Sequence, residues 1–84
     1  MLLSFRKQAW EDYLYWFRTD KKMCKRIHEL IKSTQRTPFE GIGKPEALKN
    51  NYGGFWSQRI DKEHRMVYAV TADALIIVQL RYHY

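Results

Sequence analysis

The 84-residue sequence predicts an α+β fold in which two helices cover one face of a mainly antiparallel sheet. Apolar residues recur at helical spacing up to about residue 37. From Phe55 onward, three stretches rich in β-branched and aromatic residues alternate with short polar turns. The predicted order is β-α-α-β-β-β, in a single domain spanning residues 1–84, because a chain this short holds one core at most.

The first helix is predicted from an apolar stripe about 160° wide. Its members are Ala9, Trp10, Tyr13, Leu14, Trp16 and Phe17. We expect Trp10, Tyr13 and Trp16 to lie in the core. Ser4 is a plausible N-cap. The opening MLLSF is also compatible with an additional strand.

A second helix is predicted to begin near Thr19 or Asp20, since either side chain can cap a helix. It should end at Thr37, because the residue before a proline avoids the helical region. Its apolar stripe consists of Met23, Ile27, Leu30 and Ile31. The opposite face carries lysines between residues 21 and 32, which are typical of a solvated surface and could also contact ribosomal RNA phosphates. Cys24, beside the apolar stripe, is expected to be buried and inert.

Residues 38–54 form a predicted connection rich in glycine, proline and charged residues. A connection of this length is either functional or a solvated crossover. The strands that follow are FWSQRI, RMVYAV and ALIIVQLRYHY, and the turns between them are DKEH and TADA. These three strands should form an antiparallel meander.

Composition indicates the class of partner and excludes several classes of protein. Fifteen Lys and Arg against nine Asp and Glu give a net charge of +6, and 15% of the residues are aromatic. This balance favours a polyanionic partner such as nucleic acid or the ribosome. One cysteine cannot form an internal disulfide, and scattered histidines predict no metal site, so no cofactor is expected. We expect a cytoplasmic protein, because neither a membrane span nor a signal peptide is recognisable.

The last strand and the two arginines that flank the first hairpin, Arg59 and Arg65, could together form a catalytic or anion-binding site. Gln79, Arg81 and His83 share one side of the predicted strand. His83 could act as a general acid or base, or it could be an ordinary histidine at a frayed end. A face carrying Arg65, Arg81 and His83 would hold an anion beside a proton donor, although the hairpin register is open. A solvated basic face is the alternative interpretation.

RNA cleavage without a metal needs a base for the 2′-OH, a cation for the phosphorane and an acid for the 5′-oxygen. Glu46, an arginine and His83 could fill these roles, although a surface glutamate more often has no role. The four aromatic residues Phe55, Trp56, Tyr82 and Tyr84 could stack on bases or could belong to the core and its rim.

Four segments carry a resemblance to a known family: GKPEALKNNYGGFWSQRIDKEHRMVYAV, the closing RYHY, WEDYLYW and ELIKSTQRTPFEG. The chain resembles the YoeB family, within the superfamily of RelE-like and ParE-like toxins of type II toxin–antitoxin systems. The resemblance covers essentially the whole chain. It implies a RelE-like fold and a ribosome-dependent endoribonuclease that cuts mRNA in the A site. The implied products are a 2′,3′-cyclic phosphate, or its opened form, and a 5′-hydroxyl.

The resemblance also implies partners and site residues. The implied partners are a YefM-type antitoxin, the ribosome and mRNA, with operator DNA bound only through the antitoxin complex and no membrane. A homodimer is a further expectation. The family's catalytic residues correspond to Glu46, Arg65 and His83, and its RNA-binding residues to Lys49, Arg59 and Tyr84. Glu46 would be the base, best served by partial burial that raises its pKa, and His83 the acid; the two roles could be exchanged.

Two other functions remain open. A ParE-like gyrase poison on the same fold needs no acid–base set, so the presence of Glu46, Arg65 and His83 counts against it. A non-enzymatic module that binds nucleic acid or the antitoxin should be harmless when it is expressed without its partner. Toxicity on expression therefore separates this module from an enzyme.

Overall fold

The computed structural model describes residues 1–82 as a five-stranded sheet with two helices packed on one of its faces. The elements in chain order are β1 (Leu2–Phe5), α1 (Lys7–Thr19), α2 (Lys21–Arg36), β2 (Glu46–Ala47), a 3₁₀ turn (Asn50–Tyr52), β3 (Trp56–Arg59), β4 (Arg65–Val70) and β5 (Ala74–Gln79). The predicted α+β fold and element order are confirmed, and one short strand, β2, is added.

The strand order across the sheet is β1-β5-β4-β3-β2. β3, β4 and β5 form the predicted antiparallel meander, and β1 pairs parallel to β5. The opening MLLSF is therefore a strand, as the alternative prediction held. Ser4 lies inside β1, so its prediction as an N-cap was wrong. Arg6 occupies that position without a side-chain cap bond.

The boundaries of α2 follow from its capping residues. Asp20 Oδ1 accepts hydrogen bonds from the backbone N–H groups of Lys22 and Met23, both at 3.1 Å. These bonds satisfy donors that have no partner within the helix. The helix ends at Arg36, directly before Thr37 and Pro38. Both predicted boundaries are confirmed.

The core lies between the two helices and the sheet face that they cover. Its buried members are Ala9, Trp16, Ile27, Leu30, Ile31, Ile60, Met66, Tyr68, Leu75, Ile77 and Leu80. Cys24 is buried beside them, as predicted. None of the helices in the described part of the chain combines the length and apolar character needed to cross a membrane.

The buried face of α1 differs from the predicted stripe. Trp10 is 48% exposed and Phe17 is 61% exposed, so the prediction that Trp10 lies in the core was wrong. Asp12 is buried instead, at 4% exposure. The reason is a hydrogen bond from Leu80 N–H to Asp12 Oδ2, which turns this face of the helix toward the end of the sheet.

β5 ends at Gln79, earlier than the sequence predicted. The pairing of β4 with β5 shifts register between Val67 and Tyr68, which interrupts regular alternation. Leu80 is then held by α1, whose Trp16 Nε1–H donates to the Leu80 carbonyl at 2.9 Å. The chain therefore leaves the strand and follows the helix.

Candidate functional site

Three of the predicted site residues lie on the sheet face that the helices leave uncovered. Glu46 pairs with Ser57, and Arg59 pairs with Arg65. Directly paired residues on neighbouring strands share a face, as do residues two apart on one strand. Glu46, Arg59 and Arg65 therefore point to the same side. Gln58 points to the other side, where its amide donates to Thr34 Oγ1 of α2 at 2.7 Å.

The spacing of these residues suits an extended polyanion. Neighbouring strands lie about 4.8 Å apart, and residues two apart on a strand lie about 7 Å apart. Glu46 and Arg65 are separated by two strand spacings and two residues, so their Cα atoms are about 12 Å apart. Their side chains can approach opposite sides of one nucleotide linkage. Glu46 is exposed and so lacks the partial burial that would best suit a general base.

The two arginines form a concentrated positive charge. Arg59 is exposed and Arg65 is half-buried, and they stand directly opposite each other on β3 and β4. Like charges in this position repel each other. Among residues 1–82, neither guanidinium forms an ion pair with a carboxylate. A phosphate between the two groups would relieve the repulsion, because guanidinium binds phosphate through paired hydrogen bonds.

A groove of about 590 Å³ lies at β2 and the turn that follows it, and it is lined by residues 46–52, including Glu46 and Lys49. Lys49 is exposed and directly precedes the 3₁₀ turn. Asn50 has a φ of 58°, a left-handed conformation that asparagine tolerates. This turn bends the chain so that Lys49 and Glu46 line the same groove.

A buried network of hydrogen bonds ties the connection that leads to β2 to the core. Tyr68 Oη donates to the Pro38 carbonyl at 2.6 Å and accepts from Gln58 Nε2 at 3.0 Å. Burial raises the pKa of Tyr68. Farther along, the Arg59 N–H donates to the Gly43 carbonyl at 2.9 Å. These contacts fix both ends of the segment that brings Glu46 to the edge of the sheet.

Comparison with known proteins assigns the family. The sequence matches the family model of YoeB-like toxins of bacterial type II toxin–antitoxin systems over residues 5–84. The chain belongs to this family.

Individual relatives agree with the family model. Toxin YoeB of Escherichia coli strain K12 is 62% identical over 84 residues, which is the full length of both chains. A solved YoeB–YefM complex from Staphylococcus aureus contains a chain with a TM-score of 0.92 and 49% identity, covering 100% of this chain and 99% of that one. A solved YoeB dimer from the same species gives a TM-score of 0.93 at 49% identity, covering 100% and 98%.

Two of the predicted site residues of this YoeB-like toxin, His83 and Tyr84, lie outside the described residues. The last described residue, Tyr82, accepts a hydrogen bond from the Arg65 N–H through its carbonyl at 3.1 Å. Arg81 does not join Arg65 on one face, which was one of the two interpretations that the sequence left open. Its guanidinium lies 3.6 Å from the ring centre of Tyr15 in α1, because the chain has by then left the strand to follow that helix.

The aromatic residues of the toxin were predicted either to stack on RNA bases or to belong to the core and its rim, and the structure contains examples of both environments. Trp56 is half-buried and packs on Phe39, with ring centres 4.7 Å apart, so it belongs to the rim of the core. Tyr82 is 57% exposed. Phe55 is half-buried, and the Arg6 guanidinium lies 5.7 Å from its ring centre. Among the three candidates within residues 1–82, Tyr82 is therefore the most open to stacking on a base.

Sequence reasoning missed three polar residues around the site of this toxin: Arg6, Asp12 and His64. Arg6 adds a cation near Phe55, and no sequence signal reveals it because β1 lies far from β3 in the chain. Asp12 and His64 are both buried. A charged residue within an otherwise apolar helix face was the available signal for Asp12.

No group of three His, Cys, Asp or Glu side chains between residues 1 and 82 is arranged to hold a metal ion.

Proposed function

We propose that this chain is a ribosome-dependent endoribonuclease that cuts mRNA in the A site and thereby inhibits translation. The observation that carries the proposal is the shared face of Glu46, Arg59 and Arg65, on the side of the sheet that the helices leave open. Membership in the YoeB-like toxin family supports it. The net charge of +6 suits a substrate and a ribosome rich in phosphate.

The proposed reaction is a metal-free transfer within the RNA backbone. Glu46 removes the proton from a ribose 2′-OH, and the 2′-oxygen attacks the adjacent phosphorus. Arg65 stabilises the extra negative charge on the phosphoryl oxygens as the phosphorane forms. The bond from phosphorus to the 5′-oxygen then breaks, and His83 donates the proton that this oxygen takes up. The products are a 2′,3′-cyclic phosphate and a 5′-hydroxyl.

The remaining site residues act in binding. Lys49 and Arg59 hold backbone phosphates on either side of the cleaved linkage, and Tyr84 contacts the RNA. Glu46 is exposed, so an exchange of roles in which His83 is the base and Glu46 the acid remains part of the proposal. The pH profile of each single variant distinguishes the two assignments.

We further propose that the whole chain acts as one toxin domain in the cytoplasm, where a YefM-type antitoxin binds and inhibits it. The S. aureus YoeB–YefM complex supports this partner. The S. aureus YoeB dimer supports a homodimer. The complex with the antitoxin, rather than the toxin alone, would bind operator DNA and repress the operon.

A cleavage map tests the activity. Purified protein is incubated with a short mRNA, with and without programmed ribosomes, and new RNA ends are located at single-nucleotide resolution. We expect cuts within the A-site codon that depend on the ribosome and are absent with the Glu46→Ala, His83→Ala double variant. Cuts by the double variant, or no cuts by a folded wild-type protein, would overturn the proposal and direct attention to gyrase inhibition.

Matched single variants test the site. Glu46→Gln should lower the cleavage rate by about 100- to 10,000-fold, the usual loss when a general base is removed. Glu29→Gln makes the same change at an exposed position of α2 and should cleave like wild type. His83→Gln should abolish cutting while antitoxin binding persists. Loss of both activities together would mean that His83 is structural.

A further inference from the structure

The segment that follows β5, residues 80–82, is held by side chains from two other elements. Leu80 N–H donates to Asp12 Oδ2 of α1 at 3.0 Å. Tyr82 N–H donates to Nδ1 of His64, in the turn between β3 and β4, at 2.7 Å. The Leu80 carbonyl accepts from Trp16 Nε1 at 2.9 Å. These three side chains therefore bond backbone groups of the segment beyond the regular pairing of β5 with β4.

Asp12 is an unusual choice for the buried face of a helix. It is only 4% exposed, and burying a carboxylate is unfavourable unless hydrogen bonds compensate. Oδ2 accepts from Leu80, and Oδ1 accepts from the amide of Gln8 at 2.8 Å. An apolar residue here would extend the core without this cost. The buried position of the Asp12 carboxylate is therefore explained by the hydrogen bond that it accepts from the Leu80 N–H.

His64 is buried in the same region, at 8% exposure, and its ring packs edge-on against Trp16 with the ring centres 4.8 Å apart. Because Nδ1 accepts a hydrogen bond, the proton of the neutral ring lies on Nε2. His64 also precedes Arg65, whose N–H donates to the Tyr82 carbonyl at 3.1 Å. The segment is thus fastened on both sides of Tyr82, next to a proposed catalytic residue.

We propose that Asp12 and His64 are positioning residues for RNA cleavage, because they hold residues 80–82 against the backbone of Arg65. The inference rests on the proposed function. The two side chains set the distance between Arg65 and the chain that continues to His83, without touching RNA. Their loss should slow the chemical step and leave ribosome binding intact, since displacement of catalytic groups by about 1 Å lowers rates by about 100-fold.

The test measures single-turnover cleavage on programmed ribosomes and, separately, the dissociation constant for ribosomes. Asp12→Ala should lower the single-turnover rate by about 10- to 100-fold, with the dissociation constant changed by less than about twofold. Asp12→Asn retains a carbonyl oxygen that can accept from Leu80 and should recover most of the rate. Asp20→Ala, which removes a capping aspartate at the start of α2, is the matched control and should cleave like wild type.

A second pair of variants keeps the test decisive if Asp12→Ala does not fold. His64→Leu removes the acceptor for Tyr82, whereas His64→Asn offers a side-chain oxygen close to the position of Nδ1. We expect a loss of rate with leucine and substantial recovery with asparagine. Equal rates for these two variants, or a wild-type rate for folded Asp12→Ala, would overturn the proposal.

Amide hydrogen exchange separates this inference from the proposed function, because it needs no cleavage activity. Asp12→Ala should accelerate exchange at the amides of Leu80, Tyr82 and Arg65 more than at core amides of β4. Uniform acceleration would mean general destabilisation and would refute a positioning role. If the wild type does not cleave while the local acceleration is observed, the proposed function fails and the structural part of the inference stands.

Discussion

The hydroxyl of Tyr68 offers the sharpest test of how the site is connected to the core. Tyr68 is fully buried, and its hydroxyl is the central atom of the network that joins β4, β3 and the connection after α2. Tyr68→Phe removes this one oxygen and keeps the ring. The change leaves the Pro38 carbonyl without its donor and one Gln58 N–H without its acceptor, while Gln58 keeps its bond to Thr34.

The expected loss comes mainly from the Pro38 carbonyl, because the Gln58 amide keeps its other hydrogen bond. A buried polar group that loses its partner costs about 1–3 kcal/mol in the free energy of unfolding. For a chain of this size, 1 kcal/mol corresponds to about 4–8 °C in Tm. Tyr68→Phe should therefore lower Tm by about 5–20 °C at pH 7. Tyr15→Phe, which removes a hydroxyl from a residue 38% exposed, should change Tm by no more than a few degrees.

The difference in the free energy of unfolding between wild type and Tyr68→Phe should also depend on pH, which provides an independent check. Burial raises the pKa of Tyr68 above its ordinary value of 10.0, so the folded state binds this proton more tightly than the unfolded state. The contribution is complete below pH 10 and is lost as the pH rises through the pKa of the folded state. The difference between wild type and Tyr68→Phe should therefore narrow above pH 10.

Urea unfolding followed by tryptophan fluorescence, from pH 7 to pH 11, measures both effects. A loss below about 0.5 kcal/mol at pH 7 would refute the argument that the Pro38 carbonyl depends on Tyr68. A constant difference across the alkaline range would refute the assignment of the raised pKa to Tyr68.

Two further substitutions test the connection after α2 and the start of that helix. Gly43→Ala should destabilise by about 1–3 kcal/mol, because a Cβ there would lie 2.6 Å from Gln58 Oε1 and 2.8 Å from Leu30 Cδ2. An unchanged urea midpoint would show that these neighbours move aside freely. Asp20→Ala should lower the free energy of unfolding by about 0.5–2 kcal/mol through loss of the cap, and Asp20→Asn should retain most of it. Equal losses in the two Asp20 variants would argue against capping.

The helices and the meander could be predicted from the sequence because their signals are long and regular. α2 carries an apolar stripe between an aspartate cap and a proline, and each strand of the meander is bounded by a polar turn. β2 could not be predicted, because two residues have no periodicity. The exposure of Trp10 could not be predicted for a different reason. Asp12 is buried because it accepts a hydrogen bond from the Leu80 N–H, and a helical apolar stripe does not reveal a contact so distant in the sequence.

The candidate site was predictable in its residues but not in its geometry. The resemblance named Glu46, Arg59 and Arg65, whereas only the register shows that they share a face, since a shift of one residue would turn a strand's side chains over. Arg81 illustrates the limit. It has the parity expected of a site residue, yet β5 ends two residues before it and the side chain packs on Tyr15.

The two faces of the sheet divide stability from proposed function, and they are coupled at two places. Substitutions on the helix-covered face should act mainly on unfolding, and those at Glu46, Arg59 or Arg65 mainly on cleavage. Tyr68 links the covered face to the connection that leads to Glu46, and Asp12 links it to the segment beside Arg65. Variants at these two positions should therefore change both stability and cleavage. If the packing of the core positions the site, these variants should lower both stability and cleavage. If it does not, they should lower stability alone.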